Sequence, residues 1–423
     1  MNRRVVITGM GVVAPNGVGL TAFSEAIRIG RSGIRFIPQL RDLNFSCQIA
    51  GTPELSEEQI SSVFSELELR NFNASGILYG VIAGMEAWKD AGLLSSETPD
   101  WNSGTIFGVG TSGTDKFRES IYKIDAKEPR KLGSTAVSQT MSSGVSAMLG
   151  GKLGLGNQVT TNSSACTTGT ESIIMAYDRI KSGQADRILS GSTSDSGPYI
   201  WAGFDAMKVC TFRHNDSPET GSRPMSATAS GFVPGSGAGA LVLEDMESAL
   251  SRNARIYCEV LGGNVNSGGQ RGAGTMTAPN PDAVQRCIRA ALKNAGISSG
   301  EIDLINGHLT ATAKDSLEVA NWSEALGRSG ADFPYINSLK GMVGHCLAGA
   351  GSIESVAAVL QLYDQFVAPN VNCNDIHPEI SNLIDTSCIP IQSLKKQINT
   401  VAKASFGFGD VNACVIFKKY TNE

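Results

Sequence analysis

One cysteine and two histidines of the sequence combine the side chains that nucleophilic catalysis needs. Cys166 follows a short β-prone run, residues 158–161, and precedes a helical pattern. His308 and His345 each come shortly after a predicted strand in the second half of the chain. A thiolate is the reactive form of cysteine, and an imidazole beside it supplies a base or a hydrogen-bond donor. We therefore expect the three residues to meet in an active site, although each one alone would more often be structural.

Cys166 lies at a predicted corner between a strand and a helix. Small residues surround it, among them Ser164 and Gly169, and they would let a substrate approach the sulfur. The start of a helix presents unpaired N–H groups and a partial positive charge, and both favour a thiolate. The position therefore predicts a lowered thiol pKa, and a buried structural cysteine is the alternative.

The composition argues against several classes of protein. The 423 residues are 41% hydrophobic and 18% charged, which is typical of a soluble chain with a large core. A net charge of −5 without a basic run argues against nucleic acid as a partner. The apolar run that begins at Val5 is too short for a signal peptide, and no stretch approaches the ~20 apolar residues of a membrane span.

The remaining cysteines and histidines form no second chemical pattern. The nine cysteines are scattered, odd in number and without a C-x-x-C pair. This usage fits a reducing cytoplasm and argues against a zinc site or a disulfide framework. His214 and His377 lie in polar loops and are interpreted as surface or structural residues. We expect a cytoplasmic protein without a metal or a cofactor.

The order of predicted elements occurs twice, which indicates a duplicated fold. A strand ending in glycine opens the chain and recurs at residues 256–262, and the helical residues 86–93 are echoed by residues 290–297. Strands alternating with helices predict two α/β halves with mostly parallel sheets. We expect residues 1–253 to carry the nucleophile, residues 254–423 to carry the two histidines, and the active site to lie between the halves.

Six motifs, in this order and spacing, resemble the β-ketoacyl-[acyl-carrier-protein] synthase family of the thiolase-like superfamily, and in particular its elongating I/II type. They cover nearly the whole chain: Val5-Val6-Ile7-Thr8-Gly9-Met10-Gly11, then Ala165-Cys166 with Gly169, then Arg223-Pro224 and Gly231-Phe232-Val233 with Gly235, Gly237 and Gly239, then Asn306-Gly307-His308-Leu309-Thr310-Ala311-Thr312, then Lys340-Gly341-Met342-Val343-Gly344-His345, and finally Ser405-Phe406-Gly407-Phe408-Gly409. The resemblance implies a thiolase-like fold in which two duplicated α/β halves form a layered αβαβα core.

The resemblance also implies a two-stage reaction in fatty acid biosynthesis. Cys166 would take an acyl group from the phosphopantetheine arm of an acyl carrier protein as a thioester. Malonyl-carrier protein would then lose CO2, and the resulting carbanion would attack the acyl group to give a β-ketoacyl product. Because negative charge develops on an oxygen in each step, we expect His308 and His345 to be neutral imidazoles that donate N–H bonds to the malonyl thioester.

Further roles are implied for the lysine of one motif and for the closing loop. Lys340 would set the local electrostatic field and orient His308. The backbone N–H groups of Cys166 and Phe408 would form the oxyanion hole for the acyl carbonyl. Phe408, with Phe406 in the same glycine-rich loop, would act as a gate at the acyl pocket.

Substrate contacts are implied at four threonines. Thr310, Thr312 and Thr277 would contact the malonyl group or the pantetheine arm, and Thr111 would line the acyl pocket. Glu354 is a candidate to help hold a monovalent ion. A dimer across edge strands is also implied, with a homodimer expected and a heterodimer left open.

Three departures from the family pattern concern the loops near these residues. Leu309 stands where the family has glycine, and residues 227–230 lack the usual charged pattern. Asp410 replaces the second glycine of the closing loop and is expected to stiffen it or to add a polar contact. The catalytic set remains complete, so a type II polyketide or polyene ketosynthase is an alternative with the same chemistry.

Three other classes fit the sequence less well. A thiolase-type enzyme, which condenses acyl-CoA without decarboxylation, needs a second cysteine as a base. Cys414 and Cys346 are the candidates, and both are interpreted as core residues. A non-catalytic chain-length partner would lack the nucleophile Cys166. A cysteine hydrolase would leave the second histidine unused.

Overall fold

A computed structural model describes residues 3–421 of the chain. The strands are β1 (Val5–Ala14), β2 (Gly17–Val18), β3 (Ile34–Phe36), β4 (Ile49–Gly51), β5 (Ser103–Val109), β6 (Val159–Thr160), β7 (Arg187–Ser194), β8 (Gly237–Asp245), β9 (Cys258–Ser267), β10 (Leu304–Asn306), β11 (Tyr335–Asn337), β12 (Phe366–Val367), β13 (Leu394–Lys395), β14 (Thr400–Gly407) and β15 (Val411–Lys419).

The α-helices are α1 (Leu20–Ile29), α2 (Pro38–Asp42), α3 (Glu57–Ser61), α4 (Glu66–Leu69), α5 (Ser75–Asp90), α6 (Thr114–Asp125), α7 (Ala136–Thr140), α8 (Gly144–Leu153), α9 (Thr168–Lys181), α10 (Pro198–Ala206), α11 (Met246–Ser251), α12 (Pro281–Ala295), α13 (Asp315–Leu326), α14 (Lys340–Val343), α15 (Ala350–Asp364) and α16 (Pro378–Ser381). Short 3-10 turns occupy Pro129–Leu132, Ala165–Thr167, Pro218–Thr220, Ser299–Glu301, Leu347–Gly349 and Thr386–Cys388.

Eleven strands of the described chain form one mixed sheet whose two halves repeat the same strand order. The order β6-β5-β7-β8-β1 in the first half is matched by β11-β10-β14-β15-β9 in the second, and β1 and β9 join the halves. In each half the first three strands of this order pair in parallel, and each of the last two pairs antiparallel with the strand before it. The duplicated α/β fold is thus confirmed. The expectation of mostly parallel sheets is wrong, because strands such as β14 and β15 are joined by a tight turn that only an antiparallel pair permits.

Two long helices, α9 and α15, form the middle layer between the half-sheets, and each contacts strands of both halves. Their N-terminal ends contact each other at two glycines, where a side chain would not fit. A Cβ atom on Gly169 would lie 2.4 Å from the backbone nitrogen of Ser352, and one on Gly351 would lie 2.5 Å from that of Thr170. Helix α5 covers the outer face of the first half and α12 that of the second, which gives the layered αβαβα arrangement.

The core lies within these layers. All ten positions of β1 are buried, and α15 is buried at each position from Ala350 to Leu362. A helix that is apolar on all sides is expected where sheets cover it on both faces. Every helix within residues 3–421 is too short or too polar to cross a lipid bilayer.

Candidate active site

Cys166 lies in a strained turn at the start of the central helix α9. Ala165, which begins the turn, has a φ of 50°, a left-handed conformation that is costly for a residue other than glycine. Two hydroxyl groups hold the turn, since Thr167 Oγ1 donates to the carbonyl of Ser164 at 2.5 Å and Thr168 Oγ1 donates to that of Ala165 at 2.6 Å. The threonines that follow the cysteine therefore stabilise the corner that the sequence predicted.

The structure brings the three predicted catalytic residues together. Ligand atoms of Cys166, His308 and His345 all lie within 4.8 Å of one another, and the three side chains are buried. The two imidazole rings are 5.2 Å apart between centroids and nearly perpendicular, at 82°. A thiol and two imidazoles at this separation could also ligate a soft metal ion, and the absence of a metal stays a prediction.

Both imidazoles are neutral at physiological pH. Burial lowers the pKa of His308 and of His345 well below the usual value for histidine, and the nearby charges of Lys340 and Lys403 lower both further. In His345 the Nδ1 atom accepts a hydrogen bond from the backbone N–H of Leu347 at 3.2 Å. The proton of this ring is therefore on Nε2, where it can be donated to a ligand.

The thiol of Cys166 differs from the sequence prediction. Burial raises its pKa to about 11, although the charge of Lys340 and the backbone N–H groups of Phe408 and Cys166 act in the opposite direction. The predicted lowering is wrong because desolvation of a thiolate here outweighs the favourable field of the helix start. The two N–H groups that stabilise the sulfur are those that the family resemblance assigns to the oxyanion hole.

A buried row of three charges lies beneath the histidines. The ammonium of Lys340 is 2.5 Å from Glu354 Oε1, and that of Lys403 is 2.9 Å from Glu354 Oε2. All three side chains are buried. Since two cations share one carboxylate, the row has a net positive charge next to His308 and His345. Both oxygens of Glu354 lie close to an ammonium group, and the monovalent ion expected near this carboxylate stays a prediction.

Sequence reasoning missed Lys403. Burial lowers the pKa of this lysine, and Glu354 partly opposes that effect. Its ammonium also donates to Ser405 Oγ at 3.1 Å, within the strand that ends in the closing loop. A lone lysine in an otherwise apolar strand was the signal that could have identified it.

Glu318 was also missed, and it fixes the backbone at His308. Its two carboxylate oxygens accept hydrogen bonds from the N–H groups of His308 and Leu309, both at 2.7 Å. These bonds hold Leu309 at a φ of 21°, with its side chain buried in the core of the second half. Glu318 therefore fixes the backbone at His308, whereas the ammonium of Lys340 donates to Glu354. The orienting role of Lys340 toward the His308 ring stays a prediction. Burial raises the pKa of Glu318 to about 7.

Two cavities meet at Cys166. The larger, of about 290 Å³, contains both histidines, and its other lining residues include Thr277, Thr310, Thr312, Phe406 and Phe408. The smaller, of about 220 Å³, is more apolar and is lined among others by Thr111, Tyr199, Ile200, Leu347 and Phe408. Of the four predicted threonines, three border the cavity that contains the histidines and Thr111 borders the other, and their contacts with substrate stay predictions.

The two phenylalanines of the closing loop occupy different places. Phe408 lines both cavities, and its ring lies 5.9 Å from that of Phe204, which also borders both. Phe406 lines only the larger cavity, where its ring lies 6.2 Å from that of His308. Phe408 is therefore placed between the cavities, whereas Phe406 is part of the wall beside His308.

The other histidines and the candidate second cysteines lie outside this site. His214 Nδ1 is 3.1 Å from the hydroxyl of Thr220, and His377 caps the start of α16. Cys414 is buried in the core of the second half, where burial raises its pKa to about 12. Cys346 donates a weak hydrogen bond to a backbone carbonyl at 3.8 Å. Neither cysteine belongs to the cluster around Cys166, so the described residues offer no second thiol as a base.

Comparison with known proteins agrees with this geometry. Residues 2–249 match the family described as Beta-ketoacyl synthase, N-terminal domain, and residues 257–374 match Beta-ketoacyl synthase, C-terminal domain. The 3-oxoacyl-[acyl-carrier-protein] synthase 2 of Vibrio harveyi is 34% identical over 421 residues, which are 99% of each chain.

Two solved structures share the fold over nearly the full length of the chain. A β-ketoacyl synthase from Burkholderia phymatum has a TM-score of 0.90 and 27% identity, and the match covers 99% of this chain and 100% of the other. A type II polyketide ketosynthase, solved with its acyl carrier protein and bound to a hexaketide, has a TM-score of 0.87 and 29% identity over 99% and 100% of the two chains. The family and the thiolase-like fold predicted from the motifs are confirmed, and the chain belongs to the β-ketoacyl synthase family.

Proposed function

We propose that the chain is a 3-oxoacyl-[acyl-carrier-protein] synthase that condenses an acyl group on Cys166 with malonyl-carrier protein in fatty acid biosynthesis. One observation carries the proposal. A thiol and two neutral imidazoles meet where an apolar cavity joins a larger cavity lined with threonines. Such a junction suits a reaction that holds an acyl chain on one side and a second thioester on the other. In this proposal residues 1–253 form the half that carries the nucleophile, and residues 254–423 form the half that carries the two histidines.

In the first half-reaction the sulfur of Cys166 attacks the carbonyl carbon of an acyl thioester. The thiol proton leaves, the carbon–sulfur bond to the pantetheine arm breaks, and the pantetheine sulfur departs as a thiol. The transient oxyanion accepts hydrogen bonds from the backbone N–H groups of Cys166 and Phe408, which already lie against the sulfur. The apolar tail enters the smaller cavity past Phe408.

In the second half-reaction the malonyl thioester binds beside His308 and His345. Their N–H groups donate to the thioester oxygen as the carbon–carbon bond to the carboxylate breaks and CO2 leaves. The electron pair of that bond forms an enolate, whose carbon attacks the acyl carbonyl on Cys166. The carbon–sulfur bond to the enzyme then breaks, and the sulfur takes up one proton from water, which balances the negative charge of the lost carboxylate. Each imidazole, held neutral by burial and by the charges of Lys340 and Lys403, keeps one N–H to donate.

The remaining wall residues suit the two substrates. Thr310 and Thr312, whose hydroxyl groups are 3.1 Å apart, and Thr277 offer hydroxyls along the larger cavity for the malonyl group or the amides of the pantetheine arm. Thr111 borders the smaller cavity and would contact the acyl chain. An acyl carrier protein is the proposed donor for both substrates, and no cofactor is required by these steps.

A type II polyketide ketosynthase is the second candidate, because the same chemistry would accept a growing polyketide. The hexaketide-bound ketosynthase described above favours it, as does the departure of Leu309 and Asp410 from the glycines of the family. The two candidates differ in the acyl group that the smaller cavity accepts.

A second copy of the chain is the proposed neighbour in solution. Helix α6 exposes the apolar side chains of Phe117, Ile121, Tyr122 and Ile124. The edge strand β6 pairs only with β5 within residues 3–421. An exposed apolar helix surface and an unpaired strand edge are each typical of an interface. Light scattering should give the mass of two chains, and Ile121→Glu should reduce it to the mass of one. A monomeric native chain would contradict this proposal and leave a heterodimer with another chain.

We also propose a reducing compartment such as the cytoplasm. All nine cysteines are free, and free thiols in this number suit a compartment in which disulfides do not form.

The experiment is to incubate the protein with a panel of acyl-carrier proteins and to measure intact and peptide masses. Malonyl-carrier protein is then added, and CO2 and the β-ketoacyl product are measured. Mass gained on Cys166 followed by extension by one malonyl-derived unit is expected, and the preferred acyl group separates a fatty from a polyketide substrate. Acylation from acyl-CoA alone, with no reaction from any carrier, would overturn the proposal in favour of thiolase-type chemistry.

A further inference from the structure

The closing loop is tied to a second loop by a buried carboxylate. Asp410 is fully buried and has a φ of 61°. Its Oδ1 accepts a hydrogen bond from the backbone N–H of Asn280 at 2.7 Å, and its Oδ2 accepts one from that of Gln270 at 3.0 Å. The polar contact predicted at this departure from glycine is therefore confirmed.

Two backbone hydrogen bonds lie beside the carboxylate and join the same two loops. The N–H of Gly268 donates to the carbonyl of Asp410 at 3.0 Å, and the N–H of Gly409 donates to the carbonyl of Met276 at 2.8 Å. The turn that carries Phe408 is thus bonded at four points to residues 268–280, which we call the facing segment.

The facing segment leaves a space that fits the carboxylate. A Cβ atom on Gly268 would lie 2.2 Å from Asp410 Oδ2, and one on Gly274 would lie 2.3 Å from it. Only a residue without a side chain fits at these two positions while Asp410 keeps its place. Within residues 3–421 no lysine or arginine pairs with Asp410, so backbone N–H groups are the partners of its charge.

The bonded loops both border the reaction site. Phe408 separates the two cavities, and Thr277 of the facing segment lines the larger one. For an acyl chain to enter the smaller cavity, Phe408 must move, and its turn cannot move far without breaking the bonds of Asp410. Hydrogen bonds to a buried carboxylate are among the stronger ones in proteins.

We propose that Asp410 is a positioning residue that latches the Phe408 turn against the facing segment and thereby limits the passage of longer acyl chains to Cys166. The inference rests on the proposed function for its consequence in catalysis, but the latch itself is a property of the two loops. Asp410 lines neither cavity and acts through Phe408.

Two readouts test the latch, and neither needs carrier protein. The first is hydrogen–deuterium exchange of peptides that cover residues 268–280 and 406–411. The second is the rate at which Cys166 is alkylated by iodoacetamide and by its N-octyl derivative. The ratio of the two rates reports passage past Phe408, because a general loss of folding would change both rates together.

The variants are Asp410→Gly and Asp410→Asn, with Gly274→Ala as a second route that displaces the carboxylate while leaving Asp410 intact. Asp303→Asn is the matched control. Its carboxylate also accepts two backbone hydrogen bonds, from Asn399 at 2.6 Å and Thr400 at 3.1 Å, but it does not line either cavity. Its effect on the alkylation ratio should be nil.

For Asp410→Gly and Gly274→Ala we expect faster exchange in both peptides and a rise of about tenfold in the N-octyl to iodoacetamide rate ratio, as loss of one or two charge-assisted bonds would allow. Asp410→Asn should fall between these variants and the native chain. Unchanged exchange in residues 268–280 would overturn the latch. So would an unchanged ratio of the two alkylation rates in variants whose melting temperature equals that of the native chain. Failure of every acyl-carrier protein to load Cys166 in the native chain would instead overturn the proposed function and leave these readouts intact.

Discussion

The two corners that precede the central helices share one backbone and differ in side chains. In the first half a 3-10 turn begins at Ala165 with a φ of 50° and leads into α9. In the second half a 3-10 turn begins at Leu347, also with a φ of 50°, and leads into α15. By position in the turn, Cys166 corresponds to Ala348 and Gly169 corresponds to Gly351. The two glycines lie where α9 and α15 contact each other.

The difference lies in what holds each turn and what each offers to a substrate. The first turn is held by the hydroxyls of Thr167 and Thr168, and it presents a thiol. The second turn is held by the ring of His345, whose Nδ1 accepts the N–H of Leu347, and it presents a methyl group to the acyl cavity. The same strained backbone therefore supports a nucleophile in one half and fixes a hydrogen-bond donor in the other.

The largest effect on activity is expected when Cys166 of the first corner is replaced by alanine, the residue at the corresponding position of the second corner. Cys166→Ala removes the only thiol at the site and should abolish acyl transfer completely, while decarboxylation of malonyl-carrier protein by the histidines continues. Peptide mass after incubation with acyl-carrier protein measures the first outcome, and CO2 release measures the second. Cys414→Ala, in the core of the second half, is the control that keeps acylation. Acylation that survives in Cys166→Ala would remove this cysteine from the mechanism.

The second prediction concerns the buried charges of Lys340, Glu354 and Lys403 beneath the histidines. Glu354→Gln leaves the ammonium groups of Lys340 and Lys403 buried without a carboxylate. We expect a loss of about 3–5 kcal/mol in the free energy of unfolding, measured by urea titration. Glu301→Gln, whose carboxylate is 3.8 Å from Lys418 at the surface, should cost at most about 1 kcal/mol. Equal losses in the two variants would mean that the buried row contributes no more than a surface pair.

A third prediction distinguishes acylation at the Cys166 corner from decarboxylation beside the histidines. His345→Ala and His308→Ala each remove one donor to the enolate oxygen, so decarboxylation should fall by about 10²–10³-fold. Acylation of Cys166 should change much less, because the N–H groups of Cys166 and Phe408 remain in place. Rapid-quench measurement of the two half-reactions gives both rates. A similar loss in both half-reactions would indicate that the histidines act on the thiol instead.

Much of this site could be predicted because its residues lie in short local motifs. Cys166, His308, His345 and Phe408 each lie beside glycines or small residues that mark a turn, and the order of strands and helices around them repeats. Local sequence also identified Asp410 as a departure that would add a polar contact, and it does.

The rest depended on contacts between distant parts of the chain. Glu354 and Lys403 form an ion pair although they lie far apart in the sequence, and the sequence around either residue does not predict its partner. Glu318 fixes the backbone at His308 because α13 brings its carboxylate back to that residue. Burial of Cys166, which reverses the predicted direction of its pKa shift, is created only when the layers close around the corner.

The last prediction is a dependence on pH that distinguishes the thiol from the imidazoles. Since the pKa of Cys166 is raised to about 11, the thiol is protonated at neutral pH, and its thiolate fraction should grow about tenfold per pH unit from about pH 6 to about pH 9. The pKa values of His308 and His345 are lowered, so both rings stay neutral over that range. Decarboxylation should therefore change only near pH 7, where Glu318 beside His308 titrates. Iodoacetamide alkylation of Cys166 and CO2 release from malonyl-carrier protein, each followed against pH, measure the two profiles. Lys340→Met should slow alkylation at a given pH, because the charge of Lys340 favours the thiolate. A plateau of alkylation below about pH 8 would instead mean that the helix start outweighs burial at this corner, and the two corners would then differ less in their electrostatics than the structure indicates.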